Sequence, residues 1–125
     1  MGFFSSNKTE ANAAPWVDLN SEEQLDAALA NNDQVTFIFK HSTRCSISSM
    51  ALNRVEASSE LLQTNGKLFI VDVVNNRNIS NQIEESLNVQ HESPQFLLIV
   101  NGKCVFDQSH YSIKPSMAIE FLQSA

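Results

Sequence analysis

The chain has 125 residues, enough for one domain with a single sizeable core. Its 42% hydrophobic and 18% charged residues make a globular rather than a disordered composition. Fourteen acidic residues against eight Lys and Arg leave a net charge of −6, without the basic footprint that nucleic acid requires. The longest apolar runs, such as Phe96 to Val100, are too short to cross a bilayer, so no membrane partner is expected.

Residues 1–14 are mostly small and polar after Phe4 and read as a flexible N-terminal tail, leaving 15–125 as the domain. Met1-Gly2-Phe3-Phe4-Ser5-Ser6 fits the loose myristoylation pattern, but a frayed tail is the preferred reading. No secretion signal opens the chain, and a cytoplasmic location is expected. The two cysteines, Cys45 and Cys104, cannot make a disulfide framework and are expected as reduced thiols.

Ordered structure is expected to begin near Pro15-Trp16-Val17. Ser21 with Gln24 three residues later forms a capping box, and Leu25, Ala28 and Leu29 give the helix it starts an apolar face. Asn31-Asn32-Asp33 ends it. Val35 to Lys40 is a β-branched and aromatic run that reads as a buried strand, followed by a loop, His41 to Cys45. A helical pattern then runs from Ser46 to about Gln63, with Asn65-Gly66 closing it.

Lys67 to Val74 reads as a second strand, and Asn78 or Ser80 as the cap of a short helix through Ile83 and Leu87. His91-Glu92-Ser93-Pro94 is a loop into a third strand, Gln95 to Val100. Asn101-Gly102 signals a hairpin, so Cys104 to Gln108 returns antiparallel, and Ser116 to Ser124 closes the chain as a helix. This order predicts an α/β fold, a mixed central sheet with helices on both faces, in the thioredoxin arrangement.

The chemistry concentrates at Cys45, which follows a buried strand and directly precedes a helix. The free N–H groups of a helix N-terminus favour an anion such as a thiolate, and Arg44, Lys40 and a protonated His41 would add positive charge. A free thiol of pKa ~8.5 is about 3% ionised at pH 7, and one at ~6.5 about 75%. Nucleophilicity falls roughly eightfold over that interval, so the net gain in attack is only about threefold. The larger benefit is to the thiolate as a leaving group, which suits a thiol that is both loaded and unloaded. The alternative for either cysteine is a small buried hydrophobe, the preferred reading for Cys104 on its strand, with a resolving thiol as the remaining option.

Cys45-Ser46-Ile47-Ser48 has C-x-x-C spacing with serine in the second place. Without a second sulfur there, a mixed disulfide at Cys45 must wait for another thiol. Ser48 is equally readable as a plain first-turn helix residue. Composition leaves the Ser93–Pro94 bond open between cis and trans. His41, His91 and His110 with Cys45 lack any short ligand spacing, so no metal is expected. Nucleotide motifs are absent.

Phe39-Lys40-His41-Ser42-Thr43 leading to Cys45, with Ile47-Ser48, Ser93-Pro94-Gln95 and Ser109-His110-Tyr111, make the chain from Trp16 onward resemble the monothiol bacilliredoxins of the bacillithiol system. The resemblance implies a thioredoxin-like fold and a thiol–disulfide oxidoreductase that removes bacillithiol from protein mixed disulfides. Cys45 would be the catalytic nucleophile and Pro94 a cis-proline. Lys40, Thr43, Arg44, Ser48, Ser93 and Pro94 are the candidate substrate-binding residues. No tightly bound cofactor is implied; bacillithiol enters as a thiol co-substrate, and the partners are S-thiolated client proteins. The family usually has proline where this chain has Ser46. Two other readings compete: a glutaredoxin-like protein using glutathione or an iron–sulfur cluster, and a non-catalytic thioredoxin-fold binding module.

Overall fold

The structure is a computed structural model, and it describes residues 16–31 and 33–124. The proposed tail, the myristoylation pattern, Pro15 and Asn32 lie outside the described residues. In chain order the elements are β1 (Val17–Asp18), α1 (Glu22–Ala30), β2 (Thr36–His41), α2 (Ser46–Ala57), α3 (Ser59–Asn65), β3 (Lys67–Asp72), α4 (Arg77–Leu87), β4 (Gln95–Val100), β5 (Lys103–Ser109), a 3₁₀ turn (His110–Ser112) and α5 (Pro115–Ser124). The sheet order is β1-β3-β2-β4-β5. β1, β3 and β2 run parallel, and β4 and β5 are antiparallel additions.

The central strands alternate between two cores, as a pleated strand buried on both faces must. Phe37, Phe39, Leu68, Ile70, Phe96 and Leu98 face one side, beneath α2, α3 and α5. Ile38, Phe69, Val71, Leu97 and Ile99 face the other, beneath α1 and α4. Lys40 follows the parity of Ile38, and His41 that of Phe39, on whose ring it stacks at 5.8 Å. That parity decides which side of the sheet each of these two polar residues serves.

Ser21 caps α1 as its capping-box pattern predicts, accepting from the Gln24 N–H at 3.1 Å. The Gln24 side chain reaches one residue further back, to the Asn20 N–H at 2.9 Å. Elsewhere the structure departs from the expected elements. The single helix expected over 46–63 is two, broken at Ser58, whose N–H is shared between the carbonyls of Arg54 and Val55. α4 starts at Arg77, with Asn76 as N-cap rather than Asn78 or Ser80; Ser80 is buried inside the helix. Gly66 does end α3, but in extended rather than left-handed backbone, φ 179°. The glycine is needed for space: a Cβ there would collide with the Val35 carbonyl oxygen.

Asn101 and Gly102 both have positive φ, 54° and 74°, the type I′ geometry that an Asn-Gly pair provides. A β-bulge follows. Leu98 pairs with Phe106 but Ile99 pairs with Cys104, leaving Val105 as the extra residue. Cys104 therefore packs against the α1–α4 core and Phe106 against the α2–α5 core, although the two are separated by one residue.

Candidate active site

Lys40 on β2 pairs with Gln95 on β4, and Gln95 with Ser109 on β5, so three chain segments leave the sheet at one edge. They are the loop to Cys45, the loop holding Pro94, and the 3₁₀ turn at His110. Cys45 is the N-cap of α2, half-buried, in extended backbone (φ −118°, ψ 124°). A turn from Ser42 presents it: the Cys45 N–H donates to the Ser42 carbonyl at 3.2 Å, and the Cys45 carbonyl accepts the Ser49 N–H at 3.1 Å. The first turn of α2 carries no acidic residue to oppose an anion.

Ser48 is completely buried, and its hydroxyl holds that loop in shape. Its Oγ accepts the Ser42 N–H at 2.9 Å and lies 2.7 Å from Nδ1 of His41. Burial holds the His41 pKa below the usual histidine value, against the opposing pull of Asp72. The hydroxyl is thus bonded both to the loop backbone and to the His41 ring. The position that would carry a second sulfur in a dithiol site thus carries a hydrogen-bond lock.

Thr43 and Arg44 are exposed at the tip of the loop, and Ser46 is exposed at the first position of α2. Lys40 goes elsewhere. Its side chain points to the α4 side of the sheet, where the fully buried ammonium donates to Gln95 Oε1 at 2.9 Å. Burial lowers its pKa from 10.5 to about 8, partly offset by the carboxylates of Glu84 and Glu92. Gln95 Oε1 also accepts the Glu92 N–H at 3.3 Å, and its Nε2 donates to the Gln90 carbonyl at 3.1 Å. The loop before Pro94 is tied further by Ser80 to His91 Nδ1 at 2.9 Å and by the His91 N–H to Glu84 at 2.9 Å.

The Ser93–Pro94 bond is cis. Pro94 is buried, and its carbonyl accepts the backbone N–H of His110 at 3.0 Å. His110 has positive φ, 54°, and its ring lies 3.5 Å from Glu92. The Ser93 hydroxyl oxygen is buried with no hydrogen-bond partner. The structure therefore gathers Cys45, Ser48, Ser93 and Pro94 at one end of the sheet, with Lys40 behind the proline loop instead of beside the α2 N-terminus.

Sequence reasoning expected His41 as a protonated charge beside Cys45, whereas burial disfavours its protonation and its ring is tied to Ser48; Gln95 was not singled out as a site-shaping residue. Its signal was present: it is a polar residue at the end of an otherwise apolar strand. Cys104 stands apart from the site. It lies four strand positions away from Gln95 by register, about 13 Å along β4, and on the face opposite α2. Burial raises its pKa to about 11. No helix among the described residues is long and apolar enough to cross a membrane.

A cysteine at a helix N-terminus and a cis-proline loop at the same end of a five-stranded mixed sheet fit a thiol–disulfide oxidoreductase of thioredoxin fold. A solved structure described as a candidate oxidoreductase with a thioredoxin fold superposes with a TM-score of 0.73 at 30% identity, over 83% of this chain and 90% of that one. Thioredoxin from Trypanosoma brucei brucei gives 0.71 at 20% identity over 94% and 96%, and Malassezia sympodialis thioredoxin 0.70 at 19% over 88% and 91%. These last two show the fold. The monothiol bacilliredoxin BrxC family model matches residues 17–117, and the chain belongs to that family.

Proposed function

We propose that Cys45 removes bacillithiol from protein mixed disulfides in the cytoplasm. The Cys45 thiolate attacks the bacillithiol sulfur of the client's mixed disulfide. A Cys45–bacillithiol disulfide forms, the client sulfur leaves as a thiolate, and solvent protonates it. A second bacillithiol thiolate then attacks the adduct, releasing oxidised bacillithiol dimer and the Cys45 thiolate. The net reaction consumes one mixed disulfide and one bacillithiol, and yields one free client thiol and one disulfide of bacillithiol.

The observation that carries this reading is the pairing of a half-exposed Cys45 with the buried Ser48 hydroxyl one turn on. The only other sulfur able to form a disulfide, Cys104, sits across the sheet. A mixed disulfide at Cys45 thus has no sulfur of the same chain to displace it, and an outside thiol must do so. Ser93, Pro94, Thr43 and Arg44 would frame the incoming disulfide, with the backbone before Pro94 available to pair with it.

Intact mass after incubation with a bacillithiolated client tests the proposal, with Cys45→Ser in parallel. A single bacillithiol adduct on the wild type alone, with the client thiol freed, is the expected result. Transfer from a glutathionylated client but not from the bacillithiolated one would overturn the choice of thiol. Absence of transfer from both would overturn the enzymatic reading.

A further inference from the structure

A groove runs along the flank of α2, between its C-terminal half, the 3₁₀ turn and the start of α5, around a cavity of about 450 Å³. Two features set it apart. Arg54 and Lys114 both line it, and no carboxylate does, on a chain whose net charge is −6. The Nη1 of Arg54 is buried and has no hydrogen-bond partner, so a charged donor is left desolvated and unsatisfied. The rest of the lining is substantially apolar, and two of its side chains are well exposed: Tyr111 at 67% and Met117 at 42%.

The groove is joined to the active site. Tyr111 follows His110, whose N–H is bonded to the Pro94 carbonyl, and the 3₁₀ turn packs against α2. Arg54 is nine residues beyond Cys45 on the same helix, about 13 Å along its axis. An extended peptide covers that distance in about four residues. A small polar thiol has no apolar surface to cover Tyr111 and Met117, whereas a polypeptide segment has.

We propose that this groove docks the client protein, taking a carboxylate side chain about four residues from the disulfide-bearing cysteine on Arg54 and Lys114, with an apolar neighbour against Tyr111 and Met117. This rests on the reading of Cys45 as acting on protein mixed disulfides. It assigns client choice to a surface away from the reacting sulfur, so it predicts an effect on KM and none on kcat.

The test uses bacillithiolated peptides that carry Leu and Glu at the third and fourth residues from the cysteine, on either side. Matched peptides have Gln for Glu, and the bacillithiol–cysteine disulfide serves as the small substrate. The expected result for Arg54→Gln/Lys114→Gln is a KM about tenfold higher on one of the Glu peptides, lost in high salt. KM on the Gln peptides and the small disulfide should not change. Equal KM for wild type and variant on both Glu peptides overturns the proposal. So does an equal rise on the small disulfide, which would place Arg54 in the small thiol's site.

Binding of the fluorescently labelled, non-thiolated peptides to the Cys45→Ser protein, followed by anisotropy, separates this proposal from the reaction itself. Tighter binding of a Glu peptide than its Gln partner, dependent on Arg54, supports the groove even if no substrate turns over. Equal binding of the two overturns it.

Discussion

The Lys40 ammonium, with no exposed surface, donates to the Gln95 side-chain oxygen across the β2–β4 ladder at 2.9 Å. The same oxygen receives the Glu92 N–H, two residues before the cis-proline. Lysine is rarely fully buried, and here the charged form is disfavoured enough to bring its pKa to about 8. In the unfolded chain the value returns to 10.5. The penalty is complete below pH 8 and is relieved as pH rises toward 10.5, because the folded state releases its proton first. The wild type should therefore gain about 2 kcal/mol of stability relative to Lys40→Met between pH 7 and pH 10. Urea unfolding at the two pH values measures this double difference; parallel curves for the two proteins would show that Lys40 keeps an ordinary affinity for its proton.

The Ser48 hydroxyl serves two partners at once, the Ser42 N–H and the His41 ring. Ser48→Ala strands both in a buried setting and should cost about 1–3 kcal/mol. The loss should show in the urea midpoint. Loosening of the Cys45 loop should also show, as faster amide exchange at Ser42 and Cys45. An unchanged midpoint would mean that water replaces the hydroxyl.

His41 and His91 both have lowered pKa values, mainly through burial. A histidine that resists protonation in the folded state lets the unfolded state bind protons first, so stability is lost as pH falls below about 6.5. Unfolding followed from pH 7.5 to 5 should slope downward across that window. His41→Gln, which keeps a side chain able to bond Ser48, should flatten the slope. An equal slope in the variant would remove His41 from the account.

Gly66 stands where a Cβ would meet the Val35 carbonyl oxygen and the ring of Phe37. Val35 directly precedes β2 and Phe37 lies near its start, and the Lys67 N–H bonds that same carbonyl at 2.9 Å. Gly66→Ala should push β2 and β3 apart and cost about 2–4 kcal/mol. Thermal unfolding checks it; a shift in Tm within a degree of wild type would mean that the strand ends move freely.

Cys104 is half-buried in the α1–α4 core, its thiol donating to the Phe106 carbonyl at 3.5 Å. With its pKa raised to about 11, it is almost wholly protonated at neutral pH. Titration with an aromatic disulfide reagent should find one fast thiol in the native protein and two in urea. Cys104→Ala should retain full transfer activity. Two fast thiols in the native state would contradict the packing.

How much of this was readable in the chain depends on whether local pattern or remote contact decides each feature. Val35 to Lys40 and Gln95 to Val100 are nearly continuous apolar runs, so they announce strands covered on both faces. Asn101-Gly102 announces its turn by its own backbone preferences, and Ser21 with Gln24 its cap. Cys45 was legible because strand, loop and helix signals meet there. By contrast, β1 is two residues long and exists only through its pairing with β3. The break at Ser58 carries no Pro or Gly to mark it. The bulge at Val105, which turns Cys104 and Phe106 to opposite faces, is set by register with β4. Lys40 sits in a motif with Cys45, but strand parity sends its side chain to the other side of the sheet. The Asn65-Gly66 pair marked the end of a helix, whereas the approach of a remote carbonyl is what requires glycine there.

The separation of the two thiols by the sheet sets the valence of the molecule. With Cys45 as its one readily reached thiol, each copy would hold one passenger at a time and would store no oxidising equivalents as a bridge within itself. Oxidation must then appear as something joined on from outside, whether a small thiol, a client or a second copy. The mass of the protein becomes a direct count of its state.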